Sequence, residues 1–187
     1  VYDYYFPVIQ MIAISLGMKP SDVNVQNLEE MIRPKLLELK PQVSLIGDIV
    51  GVQNALVSGN VDMIVAGAEF AVSVLATERP ELQWTIAENG GLIWTQGLAI
   101  FEDSKKKDLA NEFVKWVISP EGQGLLATSD CYWAMPTNSK AALNDAQKQI
   151  LRWDEQPGFL AKSHLSFLPQ PELDAAMLEL WMEFVQS

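Results

Sequence analysis

An α/β fold is predicted by three features of the chain. Short strand-like apolar runs alternate with helical stripes along its length, the pattern of a mixed sheet flanked by helices. A glycine pair, Gly90-Gly91, opens onto a long strand-like run, Leu92 to Phe101, that Trp94 and Gln96 interrupt. Of the 187 residues, 49% are hydrophobic, enough for a substantial core. The interrupted run reads as a strand that leaves one packing unit, passes a ligand crevice and enters another. Sheets of this kind bind ligands beyond the carboxyl ends of their strands, at switch points.

The chain opens on an aromatic strand, Val1 to Phe6, followed by Pro7, a good first helical residue. Val8, Ile9, Met11, Ile12 and Leu16 recur at helical spacing up to Gly17, a C-cap signal. A second helical region covers Ser21 to Lys40, with Asn27 as its cap and Pro34 expected to kink or split it. Val43 to Ile46 reads as a short strand. Asp48 caps a helix from Ile49 to Val57, which Gly59-Asn60 ends. Val61 to Ala66 reads as a buried strand, Ala68 to Thr77 as a helix, and Leu82 to Ala87 as the next strand.

Beyond the interrupted run, Asp108 to Ile118 is an amphipathic helix expected to turn Leu109, Phe113, Trp116 and Val117 inward. Ser119-Pro120-Glu121 restarts a helix: Ser at the N-cap, Pro at the first position, an acid in the first turn. Cys131 to Asn138 is extended, Ser139 to Ile150 helical, and Leu151 to Gln170 loop-like with a Pro157-Gly158 turn. Pro171 to Gln186 closes the chain as an amphipathic helix with Leu173, Met177, Leu180, Trp181 and Phe184 on one stripe.

Composition excludes several classes of function. Thirteen basic against 24 acidic residues give a net charge of −11, which disfavours nucleic acid and anionic membrane surfaces and suits a cationic or neutral partner. Cys131 is the only cysteine and His164 the only histidine, so no intrachain disulfide, Cys cluster or paired-His metal site can form. No metal, cofactor or catalytic residue is expected. A lone cysteine reads as a small buried hydrophobe, and His164 falls in the loop-like stretch, away from the candidate strands.

The stretch Glu88 to Ile100, the "SPEGQ" helix start at Ser119, the Tyr132 to Asn138 return segment and the closing helix with Leu178, Trp181, Glu183 and Phe184 together resemble the solute-binding proteins of ABC importers. The most similar branch is the polyamine (spermidine/putrescine) type. The resemblance implies the two-lobed type 2 periplasmic-binding fold, an extracytoplasmic location, a small-molecule solute, and delivery to ABC permease subunits. It also implies that residues 1–92 and 138–187 form the second lobe and 93–137 belong to the first, the rest of which would lie upstream. A dimer is then expected if that lobe is missing, together with an exposed apolar patch near Leu98 to Ile100 and Phe113 to Val117.

Polyamine binders hold a flexible cation with carboxylates at its amines and aromatic rings along its methylenes. By the resemblance Trp94 is the hinge aromatic and Asp3 a ligand carboxylate. Gln96 stands where the family commonly has Asp, Pro7 near a second carboxylate position, and Val65 at a second Trp position. Glu69 is placed to restore one charge, and Tyr4 and Tyr5 to restore aromatic surface. The two tyrosines alternate on the expected strand, so one would face the ligand and the other pack. The ligand-binding candidates are therefore Trp94, Gln96, Asp3, Tyr4, Tyr5 and Glu69. The competing reading is the effector-sensing domain of a transcription regulator with the same topology; an enzyme using Asp3 or Glu69 as acid or base is the third.

Overall fold

The chain packs as two units in the computed structural model, which describes residues 1–130 and 132–187. The first comprises Val1–Gly67, Ile86–Trp94 and Pro157–Ser187; the second comprises Ala68–Thr85 and Thr95–Gln156.

The first unit begins with α1, Tyr5–Ser15. It ends in a Schellman motif, with Met18 N–H donating to Ala13 O (3.0 Å) and Gly17 N–H to Ile14 O (2.9 Å). The cap of the next helical region lies three residues before the one read from the sequence. Asn24, not Asn27, is the N-cap of α2, Val25–Asn27, and the two asparagines form a reciprocal capping box at 2.9 and 3.0 Å. The helix then widens into a π-turn, Leu28–Ile32, before α3, Arg33–Leu39. Pro34 therefore does not break the helix: the missing N–H and the ring clash with the preceding turn are absorbed by the wider π-turn just upstream.

Helix α4, Ile49–Val57, starts where expected, with Asp48 accepting from Gly51 N–H at 2.7 Å. Replacing Asp48 by Ala is expected to cost about 1 kcal/mol, read as a shift in urea midpoint at unchanged m-value. A second Schellman motif closes α4 through Asn60 and Gly59.

Helix α5, Ala68–Ala76, opens the second unit, and β1, Leu92–Ile93, belongs to the first. In the second unit follow α6, Lys107–Val117; α7, Pro120–Ala127, capped by Ser119 as expected; and a tight pairing of β2, Thr128–Ser129, with β3, Tyr132–Trp133. Helix α5 packs on β3, with Phe70 and Tyr132 stacked at 5.1 Å. Cys131 lies outside the described residues, so the expectation made for it has no structural counterpart.

Helix α8, Asp145–Ile150, is shorter than expected because Asn144 sets its start with a capping box to Gln147. The stretch from Leu151 to Gln170 is not a loop. It contains α9, Gln156–Lys162, in which Pro157 occupies a first-turn position that needs no N–H, and β4, His164–Leu165. His164 is thus a strand residue, paired in parallel with Leu92 of β1. The last helix, α10, runs Pro171–Gln186, and the residues it buries are Leu173, Met177, Leu180, Trp181 and Phe184, the stripe read from the sequence. With Val8, Ile9 and Ala13 of α1, and Leu28, Ile32 and Leu36, they form the core of the first unit.

Strands are fewer than the sequence pattern indicates. The aromatic opening forms only a bridge, Tyr2 with Gly47, and α1 takes over at Tyr5; Val43 to Ile46 stops short of the same bridge. Val61 to Ala66 and Leu82 to Ala87 have no strand partner among the described residues. Their peptide groups are met otherwise: Val65 O accepts from Tyr2 N–H, Trp84 O from Arg152, and Ile86 O from Lys162. A β-like composition describes a side chain's fit to a pleated, half-buried surface and does not supply the neighbouring strand. The run from Leu92 is strand only through Ile93; Trp94 to Phe101 is irregular. Helix α6 buries none of its residues, so Leu109, Phe113, Trp116 and Val117 do not turn inward.

Candidate functional site

Four candidate residues lie in the first unit. Tyr4 is the N-cap of α1 in extended conformation, and Tyr5 is the first residue of that helix, not part of a strand. The two therefore do not alternate across a sheet. Their rings meet edge-to-face at 6.2 Å, and Tyr4 also lies 6.2 Å from Tyr2 and 6.3 Å from Phe6, which continues to Phe167 at 6.3 Å. The result is an aromatic row with Tyr4, 49% exposed, at its centre. Such spacings lie in the range where ring quadrupoles attract.

Carboxylates flank this row. Asp3 Oδ1 accepts from the buried indole N–H of Trp181 at 3.0 Å, and Asp174 Oδ1 accepts from Tyr5 O–H at 2.7 Å. Among the described residues neither carboxylate is in a salt bridge with Lys or Arg. Asp174 and Trp181 are seven residues apart on α10, so they share a face two turns apart, about 10 Å along the axis. The hydrogen bond to Asp174, helped by burial, pushes the Tyr5 phenol up to about 12. Tyr5 is therefore a neutral donor at physiological pH. The sign is that of a raised acid: the contribution is complete below the ordinary value of 10 and is lost as pH rises through about 12.

Sequence reasoning missed Asp174 and the polar role of Trp181. The stripe on α10 correctly marked Trp181 as packing, but an indole that is buried also needs an acceptor for its N–H, and that need was the available signal.

Trp94 directly follows β1 and is 44% exposed. Its approach is held from both sides: Gly90 N–H donates to Ala87 O, Gly91 N–H to Ser163 Oγ, and Ser166 N–H to Ile93 O. Ser166 Oγ and Phe167 N–H both donate to Gln10 Oε1, and Gln10 is fully buried in α1. The site residues Asp3, Tyr4 and Tyr5 and the position of Trp94 thus all depend on α1 and the elements packed against it.

Glu69 and Gln96 belong to the second unit. Glu69 is half-buried in the first turn of α5, where its carboxylate accepts from Met135 N–H at 3.4 Å. Burial pushes the Tyr132 phenol up, and the Glu69 charge adds to the rise. Just before it, Ala66 and Ala68 both adopt φ of 58°, a left-handed conformation costing an L-residue about 1–2 kcal/mol. Gln96 is exposed in the irregular segment after Trp94. Among the described residues no cluster of His, Cys, Asp and Glu is arranged to hold a metal ion, and no helix is long and apolar enough to cross a membrane.

Comparison with curated proteins finds no match to the chain. Among protein families, the model described as bacterial extracellular solute-binding protein matches residues 3–157. That span takes in Asp3, Tyr4 and Tyr5, Glu69, the glycine pair, Trp94, Gln96 and the restart at Ser119. It covers well over half of the sequence, and the chain therefore belongs to the bacterial extracellular solute-binding protein family.

Proposed function

We propose that the protein is the solute-binding component of an ABC importer and captures a small cation of the polyamine type for delivery to a membrane permease. As a member of an extracellular binding family it works outside the cytoplasm and is not an enzyme. The observation that carries the cationic reading is the aromatic row around Tyr4 with Asp3 and Asp174 beside it, neither carboxylate in a salt bridge among the described residues. An ammonium stripped of water needs a charge partner, and a methylene chain gains by lying along ring faces. The chain's net charge of −11 favours approach of a cation.

The ligand residues in this reading are Asp3, Tyr4, Tyr5, Trp94, Gln96 and Glu69, with Asp174 added. Capture proceeds by hinge bending of two lobes, and the ligand favours the closed state only through contacts made in that state. The proposed lobes are 1–92 with 138–187, and 93–137; the packed units divide elsewhere, with 68–85 and 138–156 packed in the second unit and 93–94 in the first. A neutral polar solute held by Gln96 and the tyrosines is the second reading. It is favoured by the engagement of Asp3 with Trp181 and of Asp174 with Tyr5. The extracellular family favours import over the cytoplasmic sensor.

Titration of the protein's tryptophan fluorescence with putrescine, spermidine, small monoamines and neutral solutes tests the proposal. A saturable response to a polyamine that weakens with added salt is expected. Trp94→Ala should weaken it by about tenfold, since a ring face contributes roughly 0.5–2 kcal/mol to a cation. Saturation by a neutral solute alone, with no polyamine response, overturns the cationic reading and leaves solute binding intact.

A further inference from the structure

Gln10 sits in the middle of α1 among buried Val8, Ile9, Ala13 and Ile14, and is itself fully buried. Its carboxamide oxygen accepts twice from one short stretch far along the chain, from Ser166 Oγ at 3.1 Å and from Phe167 N–H at 3.4 Å. Its Nε2 has no partner among the described residues. A buried amide donor left unpaired costs stability, and an apolar side chain of the same length avoids that cost. A plain core position on α1 would therefore favour Met or Leu. What Gln supplies and they do not is a fixed acceptor.

That acceptor meets the strand exit beside Trp94. Ser166 is held from two sides: its N–H donates to Ile93 O at 2.8 Å and its hydroxyl to Gln10. Phe167 is held at two points one helical turn apart, its N–H at Gln10 and its ring 6.3 Å from that of Phe6. Phe6 in turn belongs to the aromatic row around Tyr4. The parallel pairing of β1 with β4 is only two residues long, Leu92 with His164 and Ile93 with Leu165. So short a ladder defines its own register weakly, and a slip of one residue turns every side chain to the opposite face. Trp94 is the next residue along from β1, so its place follows that register. All of these residues belong to the first unit.

We propose that Gln10 is a positioning residue of the ligand site. Through Ser166 and Phe167 its oxygen sets the register of β4 on β1, and with it the place of Trp94. The effect on affinity rests on the solute-binding reading above; the register is a property of the unliganded chain.

Fluorine NMR of the protein labelled with fluorotryptophan, with the Trp94 signal assigned through Trp94→Phe, tests the register without any ligand. Gln10→Met removes the acceptor at nearly constant volume. It should move or broaden the Trp94 resonance while leaving that of Trp181, in the core of the same unit, in place. Gln10→Glu keeps an acceptor oxygen in either protonation state and should restore the parent signal. Ser166→Ala removes one of the two bonds without touching α1 and should shift Trp94 in the same direction by less, so a poorly folded Gln10→Met does not end the test. In the polyamine titration, Gln10→Met should weaken binding by about tenfold in the parent and by about twofold at most when Trp94 is already Ala. An unmoved Trp94 resonance in both Gln10→Met and Ser166→Ala overturns the proposal. So does a Gln10→Glu that behaves like Gln10→Met, which would assign the effect to packing. If the parent binds no polyamine, the cationic reading fails and the fluorine spectra alone decide the role of Gln10.

Discussion

Phe184→Ala is expected to remove about 3–5 kcal/mol from the stability of the first unit, the range for deleting a buried aromatic ring. Phe184 is fully buried and lies in the same cluster as α1, the π-containing helix and its own helix α10. Its ring centre is 5.3 Å from that of Trp181, and Lys40 Nζ sits 5.2 Å above it while donating to the Phe184 carbonyl at 2.6 Å. The substitution therefore leaves a cavity where three helices meet and strips Lys40 of its ring contact. Since whole domains are stable by roughly 5–15 kcal/mol, the loss is a large share of the total. Urea unfolding followed by circular dichroism measures it. A change under about 1 kcal/mol would show that the three helices do not share one core. Because Trp181 holds Asp3, the same variant should also weaken any ligand that uses that carboxylate.

Gly90→Ala should be nearly as costly, about 3 kcal/mol, for a reason that has nothing to do with cavities. Gly90 has φ of 105°, which L side chains rarely adopt, and a Cβ there would stand 2.1 Å from the carbonyl oxygen of Lys162. The backbone preference contributes about 1–2 kcal/mol and the forced displacement about 1–3 kcal/mol. The neighbour is backbone, so it cannot swing away as a side chain would. Relief requires moving residues 162–163, which carry the Ser163 hydroxyl bonded to Gly91 and lead directly into the pairing of β4 with β1. Trp94 leaves that pairing, so its position is disturbed as well. Two measurements check this: a drop in urea midpoint, and a fall in the amplitude of the ligand-induced tryptophan signal. A variant as stable as the parent would mean that the turn opens without strain.

What could be read directly from the chain was whatever adjacent residues decide between themselves. Asp48 and Ser119 cap helices because a side-chain oxygen reaches an N–H three residues on, and α10 starts at Pro171 because Pro needs no N–H in a first turn. Asn24 replaced Asn27 as the cap because two asparagines three apart can each serve the other, and only one register completes both bonds. Asp3 was singled out by its place in the family resemblance, and Tyr4 and Tyr5 as aromatic neighbours on an expected strand. That Tyr5 is helical and bonds Asp174, 169 residues away, could not be read from the sequence.

Two amphipathic helices mark the limit most plainly. Both α6 and α10 show an apolar stripe at helical period, read from the sequence as turned inward on α6 and as a docking surface on α10. In the structure α10 buries its stripe against α1 and α3, whereas α6 buries none of its residues. Periodicity depends on the bond geometry of one segment, so the sequence by itself determined that each stripe exists and which residues lie on it. Whether a stripe or a strand edge finds a partner depends on segments far away in the chain. Only the tertiary structure decided that, as it decided that Val61 to Ala66 and Leu82 to Ala87 have no strand beside them among the described residues and that β1 lies against β4.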